Sequence, residues 1–240
     1  MLETKTEQGT TLVWIPLQIS LKFILFVLVD TTTPNGIQRA KSLNLVDSGL
    51  ADIIFTPLLH DAAQLFNGTS HQGRIFCIFR HPIERAISLF HYLKKASWEP
   101  TFSERLKSIK SVEDYAISEF AEDNWLVRFL TNKLTEHLSR DDLDVAKEIL
   151  RRKVLVGLLV DVKGSVMRFN KYFGWDHLNL TEQQQSCTEK YMSGGSNTNK
   201  HDGIEEGGPG WRILRANNLL DLELYEYALQ LYEEQGKMFN

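Results

Sequence analysis

The chain has 240 residues, of which 42% are apolar and 24% are charged, the composition of a globular protein that can form one good core. Acidic residues outnumber basic ones by 31 to 27, which excludes the general cationic surface that holds nucleic acid. An anion site would therefore be local. Two cysteines, Cys77 and Cys187, are too few for a disulfide framework, and no metal site is expected.

The first 30 residues are irregular, and we separate them from a domain that spans residues 31–240. Residues 12–29 are mostly apolar and about long enough to cross a bilayer, although proline and polar residues interrupt them. Two readings stay open: a membrane anchor, or a buried element or misassembled stretch of sequence. Sequons at Asn67 and Asn179 would be glycan acceptors in the secretory lumen.

From residue 31 onwards, short apolar runs alternate with longer amphipathic stretches, the order typical of strands and helices around a parallel sheet. Strands are expected at 51–55, 74–79 and 154–159. Helices are expected at 83–95, 111–130, 141–153, 163–173 and 221–237. The polar, glycine-rich stretch 183–210 is expected to be a long loop. The pattern predicts an α/β fold with helices flanking a parallel sheet.

The most informative segment runs from residue 74 to residue 93. A predicted strand ends at Arg80, Pro82 turns the chain, and a helix carrying Ser88 follows. Open α/β sheets bind ligands at the carboxyl ends of their strands, where a guanidinium and a hydroxyl would hold one phosphate together. The alternative is a structural ion pair between Arg80 and Glu84.

This segment resembles the 3′-phosphate-binding motif of sulfotransferases that use PAPS (3′-phosphoadenosine 5′-phosphosulfate). Residues 123–132, 154–159 and 217–228 are similar, in the same order, to later elements of Golgi-type carbohydrate sulfotransferases. The likeness covers about residues 45–235 and is especially close to sulfotransferase-like proteins of algae.

The resemblance implies a three-layer helix/sheet/helix fold with a central parallel sheet, like that of P-loop NTPases. It also implies PAPS as co-substrate without a metal, a carbohydrate or glycan acceptor, and a place in the Golgi or secretory lumen, membrane-associated if 12–29 is an anchor. Arg80 and Ser88 would hold the 3′-phosphate. Arg128 would support either the acceptor side or the sheet.

The family's domain begins with a phosphate-binding loop, and residues 4–11 of this chain match its sequence pattern only in part. Lys5 would be the lysine that balances charge on the leaving phosphate, and Gly9, Thr10 and Thr11 would belong to the loop, although Glu7 stands where a glycine amide is wanted. The resemblance therefore implies an N-terminally incomplete domain that turns PAPS over poorly.

Two further regions are candidates for the site. His60 follows the predicted strand 51–55 and would accept the proton of an acceptor hydroxyl, or would simply cap a turn. The loop 193–201 would close over the nucleotide or stay solvated. Its candidate ligands are Ser196, Asn197, Lys200 and His201.

Three function classes follow. The first is an active sulfotransferase that transfers a sulfuryl group to a carbohydrate hydroxyl. The second is a catalytically inactive sulfotransferase fold, either a binding module or a truncated product. The third is a nucleotide-dependent phosphotransferase, which is disfavoured because no Gly-Lys-Ser/Thr loop is visible.

Overall fold

The computed structural model describes residues 29–51, 53–66, 72–98, 102–175 and 204–239, together with the single residues 182, 186 and 189. The chain divides into two compact units, Met1–Gly73 and Arg74–Asn240, and each is described by itself.

The regular elements in the described part of the first unit are helices, joined by turns and irregular segments. Helix α1 spans Pro34–Ser42, and α2 spans Leu59–Ala63 and runs into a 3₁₀ turn at Gln64–Phe66. Helix α1 begins there because the Thr33 hydroxyl accepts a hydrogen bond from the Gly36 amide and Pro34 fixes the first helical turn.

The strand predicted at 51–55 is wrong for the residues that the structure describes, since 51 and 53–55 lie outside any strand. The Phe55 side chain is 52% exposed, and its carbonyl accepts a hydrogen bond from the Thr31 hydroxyl at 2.6 Å. An apolar run of this length forms a buried strand only when both of its faces are covered. Here the bond to the Phe55 carbonyl comes from the Thr31 side chain and not from the backbone of a neighbouring strand.

The second unit contains a parallel sheet of two strands, β1 (Ile75–Phe79) and β2 (Val154–Leu158). The two strands pair in register from Ile75 opposite Val154 to Phe79 opposite Leu158. The prediction that 74–79 and 154–159 are neighbouring parallel strands is confirmed. The described residues thus form a mixed helix and sheet structure.

Helices make up most of the rest of the second unit. The ones that follow the strands directly are α3 (Pro82–Leu93), after β1, and α8 (Val162–Phe173), after β2 and a 3₁₀ turn at Leu159–Asp161. The others are α4 (Glu104–Ser108), α5 (Val112–Ala116), α6 (Trp125–Thr131), α7 (Arg140–Lys153), α9 (Pro209–Asn217) and α10 (Leu219–Gly236). A final 3₁₀ turn covers Lys237–Phe239.

The helices predicted at 83–95, 141–153, 163–173 and 221–237 are confirmed to within a few residues, as α3, α7, α8 and α10. The single helix predicted at 111–130 is wrong, because the chain leaves the helix after Ala116 and re-enters one at Trp125. Asn124 has a φ of 44°, a left-handed conformation that an α-helix cannot contain. The predicted loop 183–210 lies largely outside the described residues, and its last two residues, Pro209 and Gly210, begin α9.

The edge of β2 that faces away from β1 is occupied by side chains. Gln235 of α10 donates from Nε2 to the Val154 carbonyl and accepts at Oε1 from the Val156 amide, each at 2.9 Å. The Ser165 hydroxyl of α8 accepts from the Leu158 amide at 2.7 Å. Helices α8 and α10 are therefore fixed to the sheet by hydrogen bonds as well as by packing.

Helix α3 anchors the other part of the core. Its buried face, formed by Ile83, Ala86, Ile87 and Phe90, packs against Tyr115 and Ala116 of α5 and Leu214 of α9. The Phe90 and Tyr115 rings stack with centroids 4.9 Å apart. The apolar face of this amphipathic helix thus holds it in the unit, and of its residues only Glu84 is exposed.

Candidate functional site

Arg80 and Ser88 lie at the strand-to-helix junction that the sequence predicts. Arg80 directly follows β1, His81 is the residue before the first turn of α3, and Pro82 begins the helix. Ser88 is half-buried, six residues into α3. Arg80 therefore stands at the carboxyl end of a parallel strand and at the N-terminus of a 12-residue helix, where backbone dipoles favour an anion.

The Arg80 guanidinium is close to a carboxylate but forms no hydrogen bond with it. Arg80 Nε and Glu84 Oε2 are 3.5 Å apart, with the two side chains 31% and 64% exposed. Nε itself is buried, and no group among the described residues accepts its hydrogen bond. The ion pair raised in the sequence analysis is therefore present, but as a loose contact that leaves the buried Nε donor without an acceptor among the described residues.

Helix α10 contributes an aromatic side chain next to this junction. The His81 and Tyr225 rings meet edge to face, with centroids 5.5 Å apart. Burial and the nearby Glu84 carboxylate both raise the pKa of Tyr225 above its usual value. His81 thus packs against an aromatic ring in the described structure.

The other predicted site residues belong to the first unit or lie outside the described residues. His60 lies exposed in α2 of the first unit, rather than in a loop after a strand. Lys5, Gly9, Thr10, Thr11, Ser196, Asn197, Lys200 and His201 lie outside the described residues. Their roles stay predictions.

A second loop-to-helix junction, at residues 30–36, was missed by the sequence analysis. Its amides are satisfied locally, because Asp30 Oδ1 accepts from the Thr32 amide and hydroxyl, and the Thr33 hydroxyl accepts from the Gly36 amide. Gly36 is packed so tightly that a Cβ there would lie 1.6 Å from the Asp30 carbonyl oxygen. A turn closed in this way by its own carboxylate does not present free amides to a phosphate.

The start of α6 is held by residues nearly a hundred positions away. Asp221 accepts hydrogen bonds from the Leu126 and Val127 amides at 2.8 and 2.9 Å, as a helix-capping residue does. In return, Asn124 Oδ1 accepts from the Leu220 amide at 2.9 Å at the start of α10. The two helices therefore cap each other. In the sequence, this contact is signalled only by an acidic residue, Asp221, within a leucine-rich run.

Asp221 is the most perturbed acid of this junction. It is 2% exposed, and burial raises its pKa to about 6, against the opposing effect of the two amides. Arg85 lies nearby, where it pairs with Glu122 at 2.6 Å and stacks over the Trp125 ring at 4.2 Å. These groups are fully engaged with one another, and we interpret them as structural.

Arg128 has a structural role in the described residues. It pairs with Asp123 at 2.7 Å and donates to the carbonyls of Lys133 and Glu136 at 3.2 and 2.7 Å. The guanidinium therefore ties the residue before α6 to the turn that follows it. Of the two alternatives left open by the sequence, these contacts support neither an acceptor site nor the sheet.

A membrane span and a metal centre can be judged only for the residues that the structure describes. Within them, none of the helices has the length and apolar character that a bilayer crossing requires. No cluster of three or more His, Cys, Asp or Glu side chains that could hold a metal is found there either. Of the apolar stretch 12–29, only residue 29 is described.

No protein-family model matches the chain, and neither a curated protein nor a solved structure matches it. Function is therefore inferred from the residues at the start of α3.

Proposed function

We propose that this chain is a sulfotransferase domain that binds PAPS and transfers its sulfuryl group to a carbohydrate hydroxyl. The observation that carries the proposal is the position of Arg80, between the carboxyl end of β1 and the start of α3, with a buried Nε that no described group hydrogen-bonds. We further propose that β1 and β2 belong to the central parallel sheet of a three-layer, P-loop-like fold.

The 3′-phosphate of the nucleotide is the group assigned to this junction. Arg80 provides a charged donor, the first turn of α3 provides backbone dipoles, and Ser88 provides a hydroxyl. The orphaned Nε fits an anionic ligand, since a buried donor without a partner costs about 1–3 kcal/mol that a phosphate oxygen would recover.

The transfer itself forms one bond and breaks one. The acceptor oxygen attacks sulfur, the bond from sulfur to the bridging oxygen of the nucleotide phosphate breaks, and adenosine 3′,5′-bisphosphate leaves. The acceptor proton passes to a general base, the role proposed for His60, and Lys5 is proposed to balance charge on the leaving phosphate. The loops 4–11 and 193–201 are proposed to hold the 5′-phosphosulfate and to close over the donor.

Calorimetry with adenosine 3′,5′-bisphosphate tests the site directly. We expect Arg80→Gln to weaken binding about 10- to 100-fold, because it removes a charge-assisted hydrogen bond to phosphate. Ser88→Ala should weaken binding less, about two- to tenfold, because a neutral hydroxyl bond is weaker.

Arg105→Gln is the control for the loss of one arginine charge, since Arg105 likewise pairs with a glutamate, Glu119, although it is more exposed than Arg80. It should bind the nucleotide like the wild type. Equal, small losses in the Arg80 and Ser88 variants would refute the proposed 3′-phosphate site.

Two assays separate the three function classes. Binding of the bisphosphate without a metal requirement supports a sulfotransferase fold, whereas binding of ATP only with magnesium supports a phosphotransferase. Transfer of labelled sulfate from PAPS to a pool of polysaccharides then separates an active enzyme from an inactive binding module.

A further inference from the structure

The arrangement of Arg80, Glu84 and Ser88 places an acid between the two proposed phosphate ligands. Glu84 and Ser88 are spaced by four positions within α3, so their side chains are neighbours along one face of the helix. Arg80 precedes the helix, and its guanidinium contacts the Glu84 carboxylate. A phosphate that touches both the guanidinium and the Ser88 hydroxyl therefore lies over the Glu84 side chain.

Glu84 has two opposing influences on such a ligand. Glu84 would favour binding if it held the guanidinium in place. The contact between the two side chains is long, however, forms no hydrogen bond at Nε and involves a largely exposed carboxylate, so Glu84 orients Arg80 little. By its charge it disfavours binding, because a carboxylate about one ion-pair distance from the guanidinium repels the incoming phosphate. The geometry makes the repulsion the larger effect.

We propose that Glu84 is a specificity-determining residue that competes with the ligand for Arg80. In the ligand-free protein its carboxylate partly offsets the charge of the guanidinium, and a phosphomonoester dianion, which Arg80 attracts more strongly than a monoanion, overcomes this competition better. Monoanions such as carboxylates and phosphodiesters gain less from Arg80. This inference rests on the proposed function for the identity of the nucleotide, but the competition itself concerns any dianionic phosphate.

The test is the Glu84→Gln variant, which keeps the shape of the side chain and removes its charge. We expect it to bind adenosine 3′,5′-bisphosphate about two- to fivefold more tightly than the wild type, the range that an exposed ion pair provides. The gain should shrink as salt is raised, because salt screens exposed charges. In an Arg80→Gln background, Glu84→Gln should give a smaller gain, since the group for which Glu84 competes is gone and only the direct repulsion of the phosphate remains to be relieved.

Glu119→Gln is the control for a general change in charge, because Glu119 is a similarly exposed glutamate that pairs with Arg105. Its affinity should equal that of the wild type. Unchanged or weaker binding by Glu84→Gln would overturn the inference, and so would an equal gain in Glu119→Gln.

Inorganic phosphate, measured by thermal stabilisation against chloride at matched ionic strength, separates the two proposals. If the bisphosphate does not bind but Glu84→Gln gains stabilisation by phosphate, the competition holds and the nucleotide assignment fails. If the bisphosphate binds the wild type and Glu84→Gln shows no gain, the nucleotide assignment holds and the competition fails. If neither probe binds any variant, both fail.

Discussion

The starts of α6 and α3 lie in the same unit, but their charged groups have different partners. At α6 a carboxylate from another helix, Asp221, is buried and accepts two amides, so the helix terminus is closed by the protein itself. At α3 no side chain caps the helix, and Arg80 is half-exposed beside a loosely held Glu84. Polar groups at the first terminus serve folding, whereas those at the second are the ones proposed to bind a ligand.

The largest expected effect tests the closed terminus. Asp221→Ala should lower the free energy of unfolding by about 3 kcal/mol at pH 5, because two buried amides lose their acceptor. Urea unfolding measures the loss, with the exposed Asp144→Asn on α7 as the control. A loss below about 1 kcal/mol would mean that water replaces the carboxylate and that the terminus is not closed.

The pH dependence of the same residue is the next test. Because the pKa of Asp221 is raised to about 6, the folded protein keeps this acid protonated up to a higher pH than the unfolded chain does. Its contribution to stability is therefore full below about pH 4 and falls as the pH rises through 6, by up to about 3 kcal/mol.

The measurement is the stability difference between the wild type and Asp221→Asn across that range. Subtracting the variant cancels acids such as Asp142, whose pKa is lowered to about 2 by Lys133 and Ser139 and whose effect runs in the opposite direction. A difference that is flat from pH 4 to pH 7 would contradict the raised pKa.

The smallest effect is expected at the open terminus. Arg80→Gln should lower the free energy of unfolding by no more than about 0.5 kcal/mol, since the ion pair with the exposed Glu84 contributes little and the variant also removes a buried donor that has no partner among the described residues. The same urea titration applies. If Arg80→Gln unfolded the protein, Arg80 would be a structural residue like Asp221, and the contrast between the two helix starts would disappear.

The elements that the sequence predicts correctly are those whose signal is local. Strand β1 and helix α3 follow from an apolar run, a proline and a stripe of period 3.6, and together they place Arg80 and Ser88. The parallel pairing of 74–79 with 154–159 follows from the helices between them.

The errors arise where distant contacts decide the conformation. The break in 111–130 depends on Asn124 in a left-handed conformation, which is supported by hydrogen bonds to Asn218 and to the start of α10. No local sequence pattern indicates that Asn124 has a hydrogen-bond partner 94 residues away. The apolar run at 51–55 has the composition of a strand just as residues 75–79 do, and only its surroundings in the folded structure show that the described residues of this run are not a strand.

The side chains along the outer edge of β2 have a consequence for how the protein meets other chains. The Gln235 amide imitates a peptide group by donating to one residue of the strand and accepting from another two positions on. A strand from a second molecule would have to displace this side chain and the Ser165 hydroxyl before it could pair there. Edge-to-edge strand addition, a common first step of protein aggregation, is thus opposed along β2 by two neutral side chains rather than by charge.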